Sequence, residues 1–315
     1  MSVIPNIKHV PQSQAVASNK APQSDALRAH IFQRLHPHAY LDRFLAEGVR
    51  PDGREPGEWR DVSVNVGSIT TADGSALVRM GGTTIVCGVK AEISEPELDA
   101  PDRGFIVPNL DLPAICSPKF KPGPPSEEAQ VLSERLNEVL ASSNTLPLST
   151  LCIAPGQAVW CLYVDATCIN YDGNAFDATL LAMVAALGNT TLPEAKFDPD
   201  TSLTTCSRAV RVPLSLNTSR KVVGVSFGCI GGSTPSLLAD PTSFEEPLLT
   251  CAVSVVIDAD GGVVSVERGG FGESDGLESE LPQDGGSEAN SGAELLGRCI
   301  SAAKERAAIL HSLVQ

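Results

Sequence analysis

The sequence predicts an α+β fold, and three observations predict it. Strand-like runs come in blocks, each block is followed by helical segments, and this plan occurs twice along 315 residues. No close sequence repeat accompanies the two halves, so only their plan hints at duplication. With 42% hydrophobic residues the chain holds enough apolar material for one large core or two smaller ones.

Residues 1–27 are rich in Ser, Gln, Pro, Asn and Ala without periodicity and read as a disordered arm. A helical segment over 28–49 follows, split by Pro37. RPDGR at 50–54 then turns the chain into a strand-rich stretch with Asp73-Gly74 and Gly81-Gly82 as turn dipeptides, which predicts an antiparallel meander. The segment 93–125 is rich in proline and charge and reads as a loop. Ser126 as N-cap, Glu127 and Glu128 in the first turn, and Val131, Leu132, Leu136, Val139 and Leu140 on one face predict a helix. QAVWCLYVDATCINY at 157–171 is nearly all apolar, β-branched or aromatic, which predicts a central strand covered on both sides. After YDGN, the helix AFDATLLAMVAALGN is apolar nearly all round and must be buried, with Gly188-Asn189 ending it.

Residues 190–205 carry two prolines and no periodicity, and read as a linker. Beyond it CSRAVRVPLSL, RKVVGVSFGCI and LLTCAVSVVIDADGGVVSVER supply strands, with Asp260-Gly261 at a hairpin tip. A last helix is expected from about Ala293 to Val314. Between hairpin and helix, a Gly/Ser-rich acidic loop over about 272–292 is expected to stay solvated and disordered. From Glu273 to Glu294 there are seven acids and no base, so nearly half of the net charge of -15 belongs to that stretch.

Composition excludes several function classes. The longest apolar runs fall well short of the roughly 20 residues that span a bilayer. The N-terminal residues lack the apolar segment of a signal peptide, so the chain reads as soluble and intracellular, with no membrane partner. A sequence pI near 4.7 argues against nucleic-acid binding through the overall field and leaves room for a local basic patch. All five histidines lie before residue 39 or at 311, which disfavours a histidine-based catalytic or zinc site. No two of the nine cysteines have C-x-x-C spacing, so they read as buried free thiols. P-loop and dinucleotide motifs are missing, and no cofactor is expected.

Four places are candidates for chemistry. The strand-to-helix junction Tyr171 to Ala178 has the form of an anion site, because free backbone amides and the helix dipole point outward there. Asp172 and Asp177 already put negative charge at that end, so ordinary capping with a packed Phe176 is favoured. Asp240, Glu245 and Glu246 would need to gather to hold a hard cation, and solvated carboxylates are the more ordinary reading. IDADGG has the look of a calcium-loop fragment but lacks the distal ligands and reads as a turn. The basic residues Arg103, Lys119 and Lys121, with Arg208, Arg211, Arg220 and Lys221, are candidates to hold a phosphodiester backbone against the alternative of a solvated face.

Taken together, RPDGRE at 50–55, DGSALVRMGGTTIVCGVKAE at 73–92, LDLPAICSPKFKPGPPSEEAQV at 110–131, LYVDATCINYDGNAFDATLLA at 162–182 and ADPTSFEE at 239–246 resemble the ribonuclease PH family. Within it they resemble the ring subunits of the eukaryotic RNA exosome. The resemblance implies a module of two similar subdomains, each a mixed or antiparallel sheet packed with helices, the first similar to the ribosomal protein S5 domain 2-like fold. It divides the chain at 50–195 and 206–315. Active members hold phosphate with a Gly-Thr-Arg type triplet, whose matching positions are Asn174, Ala175 and Phe176, and with an arginine after Leu-Pro, which is Ala114 here. A further basic position is kept as Lys119. The two aspartates near the metal of active members match Asp240 and Glu246.

With both arginines replaced, the resemblance implies no catalytic residues and no metal. It implies a non-catalytic structural and RNA-channel subunit of the exosome 3′-to-5′ exoribonuclease complex, acting in rRNA processing and RNA degradation. The partners would be other ribonuclease PH-like subunits in a six-membered ring, RNA-binding cap subunits, a separate catalytic ribonuclease subunit and single-stranded RNA. The location would be nucleus, nucleolus and cytoplasm. Arg103, Lys119 and Lys121 are the expected RNA contacts. The rival readings are an active phosphate-dependent 3′-to-5′ exoribonuclease and an assembly-only scaffold that touches no RNA.

Overall fold

The structure, a computed structural model, describes residues 21–231, 236–269 and 288–314. Most of the expected N-terminal arm and of the acidic loop lies outside the described residues. Helix α1 (Ala21–Leu35) meets α2 (Pro37–Ala46) at Pro37. The ring supplies a ready-made φ at the first helical position, where its missing N–H costs nothing.

The predicted meander is β1 (Val62–Val66), β2 (Gly74–Met80) and β3 (Thr83–Ser94), joined in antiparallel register with Val62 opposite Met80 and Met80 opposite Thr83. Gly81, at φ +55°, closes the β2–β3 turn, and a Cβ there would lie 2.3 Å from Cδ of Arg60. The glycine therefore serves the turn and makes room for the arginine together.

Beyond the meander the fold departs from the sequence expectation. The segment read as a loop over 93–125 contains a strand, β4 (Phe105–Asp111), which runs parallel to β6 (Ala158–Asn170). Pro108 hides it in the sequence, yet β4 is the edge of the sheet order β1-β2-β3-β6-β4, where a missing N–H breaks no ladder. Helix α3 (Glu127–Ser143) covers that edge, and Ser133 Oγ accepts the Leu110 N–H at 2.9 Å. Ser126 caps α3 by accepting the Ala129 N–H at 3.2 Å, as expected. Leu136, Val139 and Leu140 are buried, but Val131 is 54% exposed. The buried stripe runs through Ala129 and not through Val131.

Strand β6 is central, with β5 (Cys152–Ala154) pairing at its start. Its first five residues are buried; from Tyr163 on, exposed residues begin to interrupt the burial, so only its first part matches a strand covered on both sides. Helix α4 (Ala175–Gly188) is buried along nearly its whole length. It lies between the first sheet and β9 (Val222–Ile230) of a second sheet ordered β10-β9-β11-β12. That sheet also holds β10 (Ser236–Ala239), β11 (Cys251–Asp258) and β12 (Val263–Gly269). Helix α5 (Glu288–Leu313) packs on β9 and β11. The expected linker over 190–205 is in fact largely strand: β7 (Thr191–Asp198) and β8 (Leu203–Pro213) form an antiparallel ribbon whose register shifts between Pro193 and Ala195. That bulge erases the alternation by which a ribbon would be recognised.

One large hydrophobic cluster spans both sheets through α4, and a smaller one joins Leu41 and Leu45 of α2 to Ile230, Leu238, Leu248 and Leu249 of the second half. Its packing brings the 50–54 turn against the segment 239–245.

Candidate functional site

The junction at the N-terminus of α4 is built by four stretches of chain. Residues 171–174 lead from β6 into α4, Arg60 precedes β1, Thr83 opens β3, and residues 240–246 follow β10. Gly173, at φ +78°, lets the last of these approach: a Cβ there would stand 2.5 Å from the Thr242 carbonyl carbon and 2.6 Å from the Ser243 nitrogen. Thr83 Oγ1 donates to Gly173 O at 2.7 Å and accepts the Asp172 N–H at 3.0 Å, which fixes the turn.

Asp240, at φ +49° and wholly buried, is the electrostatic centre. Arg60 grips it with both forks: Nε donates to Oδ2 and Nη2 to Oδ1, each at 2.7 Å. Arg60 Nη1 also donates to Asp172 O at 2.7 Å, so one side chain binds the β6–α4 turn to the second half. Burial pushes the Asp240 carboxyl up, but the hydrogen bonds and charge of Arg60 outweigh it and hold the group below the usual carboxylate range. A second buried pair lies behind the first: Arg50 donates to Glu245 through Nε at 2.8 Å and to Ala239 O at 2.6 Å.

Asn174 sits at the head of α4 in the left-handed region, with φ 53°. Its Nδ2 donates to Asp240 Oδ1 and to Asp177 Oδ2, each at 2.8 Å, and its backbone N–H goes to Glu246 Oε1 at 2.8 Å. The chain's own Glu246 carboxylate therefore stands at the anion-attracting end of the helix. Tyr171 OH donates to Glu246 Oε2 at 2.5 Å and lies 3.2 Å from Glu128 Oε1. Burial pushes the Glu246 carboxyl up despite these donors. Asp177, in the first turn of α4, accepts from Ser226 N at 2.7 Å and Ser226 Oγ at 2.8 Å, and burial raises its pKa to about 6. Phe176 is packed, with the Arg135 guanidinium 4.3 Å from its ring centre. The expectation of a packed Phe holds, but the anion position is filled by a residue 72 positions downstream.

Asp240, Glu245 and Glu246 do not gather into one site. Asp240 is gripped by Arg60, Glu245 by Arg50, and Glu246 by Tyr171 and the Asn174 backbone, while the Asn174 side chain bridges to Asp240. Among the described residues no group of three or more His, Cys, Asp or Glu is placed to hold a metal ion. The donor set at Asp240 and Glu246 does not fit one either, because a guanidinium already occupies both oxygens of Asp240.

The basic candidates separate. Lys119 stands at the mouth of the junction, 2.6 Å from Glu128 and 5.2 Å from the centre of the Tyr171 ring. Lys121 is exposed beside it. Arg103 is also exposed but precedes β4, whereas the lysines follow it, so the seven residues of the strand, about 20 Å, lie between them. Arg103 lines a separate cleft of about 500 Å³ with Asn144, Leu146 and Ser149. Arg211 is paired with Asp73, Arg220 with Asp258, and Lys221 donates to Val314 O. Ala114 lies in the segment between β4 and Lys119.

Sequence reasoning misses Arg60 and Arg50 as site residues. A buried arginine leaves no local signature, and the partner of Arg60 is 180 residues away.

Residues 58–193 match the family model of RNase PH, described as the 3′ exoribonuclease family, domain 1. The exosome complex component rrp43 of Schizosaccharomyces pombe is 42% identical over 236 residues, covering 75% of this chain and 86% of that protein. The exosome complex component Rrp42 of Methanothermobacter thermautotrophicus is 39% identical over 223 residues, covering 71% of this chain and 80% of that one. Among solved structures, one described as an Archaeoglobus fulgidus exosome with RNA bound to the active site superposes with a TM-score of 0.71 at 28% identity, covering 92% of this chain and all of the matched one. Likeness of this extent in both sequence and fold means that the chain belongs to the RNase PH family of 3′ exoribonucleases.

Proposed function

We propose that the chain is a non-catalytic subunit of an exosome core, contributing structure and local RNA contacts to a 3′-to-5′ exoribonuclease complex in rRNA processing and RNA degradation. The observation that carries this reading is the Glu246 carboxylate on the Asn174 N–H at the head of α4, with Asp177 buried one turn on. Phosphorolysis needs an inorganic phosphate held beside a phosphodiester against charge repulsion, and cationic or N–H donors must do the holding. Here the backbone donor is spent on a carboxylate. The side chains of Phe176 and Ala114 offer no donor, and Arg60 is committed to Asp240.

The purified full-length chain, incubated with single-stranded RNA and inorganic phosphate, is expected to release no nucleoside diphosphate. Returning arginine with Ala114→Arg and Phe176→Arg together is expected to leave it inactive, because Glu246 still fills the anion position and the Asp177 carboxylate stays buried beside it. Diphosphate release that Asp240→Asn abolishes would make the chain an active phosphate-dependent enzyme.

In this reading the chain joins other RNase PH-like subunits in a six-membered ring, beneath RNA-binding cap subunits, and passes single-stranded RNA toward a separate catalytic ribonuclease. Its location is nucleus, nucleolus and cytoplasm. Lys119, Lys121 and Arg103 are the RNA contacts. Their separation along β4 suits a strand passing over the surface better than a single anchoring point. In the assembled ring, Lys119→Ala with Lys121→Ala is expected to weaken RNA binding and to reduce the slope of log affinity against log salt by about 0.7 for each phosphate that the lysines neutralise. An unchanged slope would leave the chain an assembly protein with no RNA contact at these lysines.

A further inference from the structure

The second sheet carries a group of thiols that the junction does not use. Cys229 of β9 and Cys251 of β11 are direct cross-strand partners. Residues opposed in an antiparallel pair have Cα atoms about 4.5–5.5 Å apart, which falls inside the range of about 4.4–6.8 Å that a disulfide bridges. The two side chains also interact, and Cys299 of α5 adds a third, fully buried thiol behind them. Cys251 keeps a small exposed area, and Cys229 is half-buried.

A cation stands on the solvent side. Arg268 of β12, itself exposed, donates Nε–H to Cys251 Sγ at 3.1 Å. The thiolate is the form of cysteine that attacks an oxidant, and a hydrogen-bonded guanidinium favours it. The other close thiol pair, Cys116 and Cys168, is a comparison within the same chain. Both are buried, and burial pushes both thiols up, as it pushes Cys229 up to about 11; what sets the second-sheet pair apart is the Arg268 hydrogen bond to Cys251.

We propose that Cys251 and Cys229 form a thiol-oxidation site that takes a hydroperoxide and closes to a disulfide. The Cys251 thiolate attacks one peroxide oxygen. An S–O bond forms, the O–O bond breaks, and the other oxygen leaves as water or alcohol after taking a proton from solvent. Sulfur loses two electrons to the peroxide and becomes a sulfenic acid. The Cys229 sulfur then attacks Cys251, the S–S bond forms, the S–O bond breaks, and the hydroxyl leaves as water with the Cys229 proton. Overall, two thiols and one hydroperoxide give a disulfide, water, and the alcohol or a second water. The bridge closes a loop of chain that contains Asp240, Glu245 and Glu246, so oxidation would clamp the segment that fills the junction.

The full-length chain, treated with hydrogen peroxide and digested after blocking of free thiols, is expected to yield a linked Cys229–Cys251 peptide before any Cys116–Cys168 link. Amide exchange over residues 236–250 is expected to slow on oxidation and to recover with a thiol reductant. In Cys229→Ser, a sulfenic acid trapped by a dimedone probe is expected at Cys251. Arg268→Gln is expected to slow bridge formation about tenfold while leaving Tm unchanged, since that side chain is exposed. A Cys251–Cys299 link, earlier oxidation of Cys116 and Cys168, or an unchanged rate in Arg268→Gln would each overturn the assignment.

Discussion

Replacing Arg60 by methionine is expected to cost about 3–5 kcal/mol of folding free energy, the usual consequence of removing one partner from a buried ion pair. The side chain is 7% exposed and that of Asp240 1%. Without the guanidinium, Asp240 keeps Asn174 and a looser Arg54, whose Nη1 is 3.6 Å away. Its charge would remain in the interior with much less to balance it. The substitution would also release Asp172 O at the β6–α4 turn, where Arg60 now donates at 2.7 Å. Urea unfolding should show a lower midpoint at unchanged slope. Adding Asp240→Asn to the methionine variant should recover part of the stability, because the orphaned charge goes with it. No recovery would assign the effect to packing. By contrast, breaking the exposed Lys196–Glu194 pair should change stability by less than about 1 kcal/mol.

What the sequence reveals and what it hides divide along physical lines. Helix α3 is legible because its cap and first-turn acids are local, and α4 because an all-round apolar helix has few places to go but between two layers. The β2–β3 turn is legible because two adjacent glycines break a strand pattern. Strand β4 is not legible. Its Pro108 argues for a loop, and only the finished sheet shows that the strand is an edge. The ribbon of β7 and β8 is masked by its bulge at Pro193. At the junction, the surplus of negative charge is legible from Asp172 and Asp177 alone. The identity of the group at the helix end is not, since Glu246 arrives from a segment that the sequence offers as a loop of solvated acids. Lys119 and Lys121 are two residues apart and stay together in the fold. Arg103 is separated from them by a strand that the sequence presents as loop.

The stability of the chain is expected to fall as pH rises from about 4 to about 7, with Asp177 the principal cause. Burial raises its pKa from the ordinary 3.8 to about 6, against the pull of Asn174 and Ser226. Between those values the folded state holds a proton that the unfolded chain has released. The advantage is full below the unfolded value and is lost as pH passes through the folded one. At about 1.36 kcal/mol for each unit, the difference amounts to about 3 kcal/mol. Glu246, also raised, acts in the same direction, while Asp240, lowered by Arg60, supplies stability that is lost only as pH falls below the ordinary carboxylate range. The test is the gap between the native chain and Asp177→Asn, followed by urea unfolding at several pH values. The gap should move by most of that amount in favour of the amide between pH 4 and pH 7. Parallel curves would mean that Asp177 ionises as freely in the folded chain as in the unfolded one. That result would also weaken the proposed absence of phosphorolysis, because a pocket that resists one buried carboxylate charge resists a multiply charged phosphate by the same physics. The gap between the two curves is therefore a measure, without RNA or phosphate present, of how hostile the head of α4 is to an added anion.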